Sequence, residues 1–90
     1  MVLGKVIGNV WATRKDEKLV GIKLLIVRSV DLDYKEKETF VVAADSVGAG
    51  VGEIVLYCTG SSARQTEISQ DRPVDAVIMA IVDKLEFDRK

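Results

Sequence analysis

The chain has 90 residues, 48% hydrophobic and 30% charged, with thirteen Lys and Arg against fourteen Asp and Glu for a net charge of -1. One cysteine and no histidine exclude a disulfide framework, a histidine-bearing zinc site and the Ser-His or Cys-His pairs of nucleophilic catalysis. A balanced charge with no basic stripe argues against a nucleic-acid or anionic-membrane surface, so neither is expected as a partner.

Ninety residues make a single domain, 1–90, which buries only about 60–65% of its unfolded surface. Small domains lean on metals, disulfides or self-association, and the first two are excluded. The amino-terminal stretch MVLGKVIGNV has no charged segment leading an apolar one, and no apolar run is long enough to span a membrane. A soluble cytoplasmic protein is expected.

The first strand is read over residues 2–13, rich in Val and Ile but broken by Gly4 and Gly8. Glycine inside a strand marks a bulge, a bend or a close backbone contact, as in small barrels. After the polar turn Arg14-Lys15-Asp16-Glu17-Lys18, residues 19–28 give a second strand around Leu24-Leu25-Ile26-Val27, and the pair predicts a hairpin. Residues 31–38 (DLDYKEKE) read as a solvated loop. The carboxylates of Asp31, Asp33, Glu36 and Glu38 are poor cation ligands with Lys35 and Lys37 interleaved among them.

Residues 40–44 make a third strand and residues 53–58 a fourth, with Gly48-Ala49-Gly50-Val51-Gly52 between them. A phosphate-binding glycine loop needs a helix immediately after it. Here a strand follows, and the spacing fits neither GxGxxG nor GxxxxGK[ST]. These glycines are therefore read as serving backbone geometry. Between Thr39 and Ala63 the charged residues are Asp45 and Glu53 alone, a stretch too apolar to hide inside so small a domain. Part of it is expected to lie against another subunit.

Ser62 followed by Gln65 has the capping-box spacing, predicting a short helix from there and placing Arg64 near its start. The turn chemistry of Ser69-Gln70-Asp71-Arg72-Pro73 ends it. Residues 76–82 (AVIMAIV) have the length and β-branched content of a buried strand. Five strands with one short helix before the last predict a mainly β fold, a small five-stranded barrel related to the oligonucleotide-binding fold. Trp11 and Tyr57 read as packing residues with one polar handle each. Cys58, in an apolar run, reads as an inert core thiol, and Ser61 and Ser62 as structural rather than nucleophilic. No catalytic, cofactor or metal residues are assigned. The alternative use of such a barrel, binding a small ligand or nucleic acid, has only fold analogy behind it.

Three stretches, GKVIGNVWATRKDEKLVGIKLLIV, AADSVGAGVGEIVLYCTGSSARQT and RPVDAVIMAIVD, together resemble the EutN/CcmL family of bacterial microcompartment vertex proteins. The combination of VGAGVGE with GSSAR is the specific part. The resemblance implies a non-enzymatic shell protein that forms a homopentamer, rather than a hexamer, and meets hexameric shell proteins at the corners of a microcompartment in the cytoplasm. It also implies that Gly48, Ala49, Gly50, Gly52, Gly60, Ser61, Ser62 and Arg64 lie in or near the subunit interface or the central channel.

Overall fold

In the computed structural model, which describes residues 1–88, the chain runs β1 (Val2–Asn9), a short 3-10 helix (Glu17–Leu19), β2 (Leu24–Val30) and β3 (Glu36–Asp45), then β4 (Ile54–Thr59), α1 (Gly60–Ala63) and β5 (Ala76–Ile81). β1 pairs antiparallel with β2 on one side and β4 on the other. β2 pairs antiparallel with β3, and β4 with β5. β3 and β5 meet in parallel over Ala44 and Asp45 and close the ring of strands in the order β1-β2-β3-β5-β4. The result is the five-stranded barrel read from the sequence.

Strand alternation sorts the apolar residues into two cores. Val6, Leu25, Val27, Ala43, Val55, Tyr57, Ala76 and Ile78 fill the barrel. Their neighbours Leu24, Ala44, Cys58 and Val77 face outward and pack with Ile22, Ala63 and Val74 from the connections. Strands covered on both faces read as continuous apolar runs, which is why 54–58 and 76–82 carry so little polar alternation.

Gly4 is required by close approach. A Cβ there would sit 2.6 Å from Val27 Cγ1, 2.8 Å from Tyr57 Cε1 and 3.1 Å from the Arg28 carbonyl oxygen. The Tyr57 ring thus fills the space left by the absent methyl, and its hydroxyl meets Ser29 Oγ at 2.8 Å inside the core. The register between β1 and β2 slips between Val6 and Gly8, the bulge that the second glycine signalled.

Several local readings are corrected. β1 ends at Asn9 rather than at residue 13, so Trp11 lies beyond the ladder on the β1–β2 connection. It is 90% exposed and is no packing residue. That connection contains the 3-10 helix, capped by Asp16 Oδ1, which accepts the Lys18 N–H at 2.9 Å. β3 begins at Glu36, so the solvated loop shrinks to a tight turn over residues 31–35. Asp31 Oδ1 accepts the N–H groups of Asp33 (2.8 Å) and Lys35 (3.0 Å). These two backbone donors, Lys35 first, hold the Asp31 carboxyl below the ordinary aspartate range.

α1 starts at Gly60, two residues before the expected capping serine, and its N-cap Thr59 makes no side-chain cap bond. The β4–β5 ladder persists to Thr59, paired with Ala76, and the Gly60 N–H donates to the Asp75 carbonyl at 2.8 Å. The helix therefore springs directly from the strand, and Arg64 stands at its end rather than its start.

Candidate assembly surface

The glycine loop between β3 and β4 is fastened at every turn. Asp45 Oδ1 accepts the Val47 N–H at 3.0 Å, and Ser46 Oγ donates to the Ile78 carbonyl at 2.6 Å. Gly48 and Gly52 have φ values of 77° and 94°, in the left-handed region that glycine enters without strain. Between them Ala49 is fully buried in the barrel core. Its carbonyl accepts from Lys23 Nζ at 2.9 Å, and that same ammonium lies 3.9 Å from Asp45 Oδ2. The loop is thus plugged into the barrel by one methyl group and held from outside by one lysine.

The Gly50 N–H donates to Glu53 Oε1 at 2.6 Å, and the Glu53 N–H returns to the Gly50 carbonyl at 3.2 Å. An acidic side chain therefore occupies the amide that a phosphate would need. With the Gly50 amide taken by Glu53 and β4 rather than a helix following, the loop lacks the helix dipole and terminal amides of a nucleotide cradle. Gly52 and Glu53 then join β1 through the Gly52 N–H to the Val6 carbonyl (2.8 Å) and the Val6 N–H to the Glu53 carbonyl (3.0 Å). Val51 is left at the tip, 60% exposed.

Gly60, Ser61 and Ser62 lie exposed at the other end of β4, with Ala63 buried beneath them and Arg64 exposed. A six-residue strand spans about 20 Å, so the two groups of sequence-predicted residues form two patches on one protomer rather than one cluster. Among the described residues Arg64 has no ion-pair partner within 4.0 Å. It shares an open cleft with Lys18, Gln70, Asp71 and Arg72. The segment after α1 is held by Ser69, fully buried, whose Oγ donates to the Ala63 carbonyl at 2.5 Å and meets Thr66 Oγ1 at 2.6 Å. Ser69 was read only as turn chemistry, because nothing local in the sequence tells a buried serine from an exposed one.

Two further surface residues fall within the apolar stretch 39–63, where no motif singles them out. Phe40 and Val42, in the apolar part of β3, are 57% and 43% exposed. The side-by-side pairings Arg28 with Phe40 and Ile26 with Val42 place them on the outer face of the β2–β3 pair. Cys58 is buried. The described residues include no group of three or more His, Cys, Asp or Glu arranged to hold a metal ion.

Fold and surface together define a closed β-barrel that carries exposed apolar side chains and, among the described residues, an exposed arginine outside any ion pair. The family model for ethanolamine utilisation protein EutN/carboxysome matches residues 1–83. The carboxysome shell vertex protein CcmL of Gloeobacter violaceus is 41% identical over 100% of this chain and 90% of its own length. Its solved structure superposes with a TM-score of 0.91, covering 98% of this chain and 91% of that one. The microcompartment shell vertex protein GrpN of Rhodospirillum rubrum is 45% identical over 96% of this chain and 97% of its own length. The solved structure of GrpN, described as a pentameric microcompartment shell protein, gives a TM-score of 0.88 over 98% of this chain and all of that one. The chain belongs to the EutN/CcmL family.

Proposed function

We infer that this chain is a structural, non-enzymatic shell protein that forms a homopentameric ring and caps the vertices of a bacterial microcompartment. Its place is in the shell, within the cytoplasm, with hexameric shell proteins as neighbours. The observation that carries this reading is the end-to-end match, in sequence and in fold, to shell vertex proteins, one of them described as pentameric.

The protomer suits such a ring. A cyclic assembly needs a heterologous interface, in which one patch of each copy docks on a different patch of the next. The Gly48–Gly52 loop and the segment from Gly60 to Arg64, at opposite ends of β4, are proposed as two such patches. Gly48, Gly50 and Gly52 keep the loop surface low enough for backbone to approach, and Ala49 fixes its position from inside. Gly60, Ser61 and Ser62 present another small-residue surface, and Arg64 has its charge available for a carboxylate of the next copy.

Native mass spectrometry of the purified chain at micromolar concentration should give a homopentamer, and mixing with a hexameric shell protein should give larger assemblies. A dominant monomer overturns the reading. Gly50→Val sharpens the test, because a Cβ at Gly50 meets only Glu53 Oε1, at 3.5 Å. The variant should fold as a protomer yet form a weaker ring.

A further inference from the structure

We propose that the open edge of β3, at Phe40 and Val42, is an acceptor for residues 83–88 of a neighbouring copy, which add to it as a short extra strand. This contact rests on the ring reading above and assigns one of its seams.

The Asp45 N–H donates to the Lys23 carbonyl at 2.9 Å, so Asp45, Ala43 and Val41 are the hydrogen-bonded positions against β2. Ala44, Val42 and Phe40 are the alternate ones. The N–H and C=O groups of those alternate residues point away from β2. At Ala44 they are met by β5, which pairs at Ala44 and Asp45 only. At Val42 and Phe40, no strand pairs on that side among the described residues. An open edge that also carries two exposed apolar side chains is a template for strand addition. Beside it runs an apolar groove lined by Leu19, Leu24, Val42, Pro73, Val74 and Asp75, able to take an apolar side chain from an added strand.

The occupant follows from the chain itself. After the Val82 N–H bonds the Ile54 carbonyl at 2.8 Å, residues 83–88 join no ladder among the described residues. Lys84 Nζ meets Glu86 Oε1 at 2.9 Å, and once the segment is extended as a strand the alternation that sets this pair on one face sets Leu85 and Phe87 on the other. The segment thus has an apolar face for the groove and a charged face for solvent.

Its own barrel cannot use it this way. β5 runs parallel to β3 with Ile78 beside Asp45, so residue 83 leaves the barrel well past the end of β3, about 30 Å along the strand direction from Phe40. Residues 83–88 reach at most about 18 Å. The donor must therefore be another copy, and donor and acceptor sit at different places on each protomer, the head-to-tail relation that closes a ring.

Hydrogen exchange on the full-length chain tests the contact. The amides of Phe40 and Val42 should exchange at least about tenfold more slowly in the assembled ring than at dilutions where it dissociates. Val42→Pro removes an N–H with no ladder partner among the described residues, and Leu85→Glu spoils the apolar face of the added strand. Each should leave the barrel folded by circular dichroism and raise the ring's dissociation constant about tenfold or more. A monomeric wild-type chain removes the ring reading and this contact together. A wild-type pentamer whose Phe40 and Val42 amides exchange as fast as in dilute protomer, or a Leu85→Glu ring of unchanged stability, overturns the edge contact alone.

Discussion

Tyr57 and Gly4 are one feature of the core written at two positions. The ring of Tyr57 passes over the β1 backbone where a side chain would otherwise stand, and its hydroxyl finds Ser29. Gly4→Ala would force a methyl to within 2.6 Å of Val27 Cγ1 and 2.8 Å of Tyr57 Cε1, with the Arg28 carbonyl oxygen closing the third side. Overpacking of this kind costs about 1–3 kcal/mol. The urea midpoint of Gly4→Ala should fall accordingly, with an unchanged slope. The comparison must be made at matched protein concentration, since assembly adds to apparent stability. An unaltered midpoint would mean that the barrel has slack at this point. The sequence announced that Gly4 was structural, because glycine interrupts a Val-rich strand there. It did not announce the partner, since Tyr57 lies 53 positions away and becomes a neighbour only through the β1–β4 register.

Among the elements, the tight turn between β2 and β3 has a definite pH response. Asp31 accepts backbone N–H groups from Lys35 and Asp33, so folding favours its charged form and lowers its carboxyl pKa. The contribution of this turn to stability is complete above the ordinary aspartate range and is lost as pH falls through the lower folded value. A carbon-detected titration should show Asp31 with its midpoint below the ordinary aspartate value, and Asp31→Asn should remove that acid dependence. A midpoint at or above the ordinary value would mean that these hydrogen bonds do not persist in solution. All five strands and the short helix were legible in the sequence, because β-branched runs bounded by Gly, Pro and polar turns leave few alternatives. Their boundaries were not. β3 gained Glu36, Lys37 and Glu38 because pairing to β2 recruits charged residues that propensity alone assigns to a loop. α1 moved two residues forward because the β4–β5 ladder ran up to Thr59. The candidate site was legible as two motifs, but their separation along β4 was not, since strand length acquires spatial meaning only once the barrel closes. The outward side of Phe40 and Val42 was hidden for the same reason, because an alternating face says nothing of which side is covered.

At the scale of the whole molecule, the proposed function is a geometric one. A sheet of six-fold tiles is flat, and closing it into a polyhedron requires five-fold points that absorb the angular mismatch at each corner. A ring with one subunit fewer than its neighbours fills that gap if its rim can contact them. Each vertex touches several tiles at once, so modest contacts at each edge combine into a stable corner, and no single edge needs high affinity. A near-neutral protomer with exposed arginines and scattered exposed apolar side chains suits that role. Cells lacking this protein should therefore still make shell facets, but as elongated or open bodies that leak small intermediates. Re-supplying the intact chain should restore closed polyhedra, whereas Gly50→Val, folded but defective in ring formation, should not. Electron microscopy of the bodies and measurement of the escaping intermediate provide the readouts. If shells without this chain, and without a second vertex protein, are closed and tight, or if a variant that forms no rings restores closure, corner capping is not what this protein does.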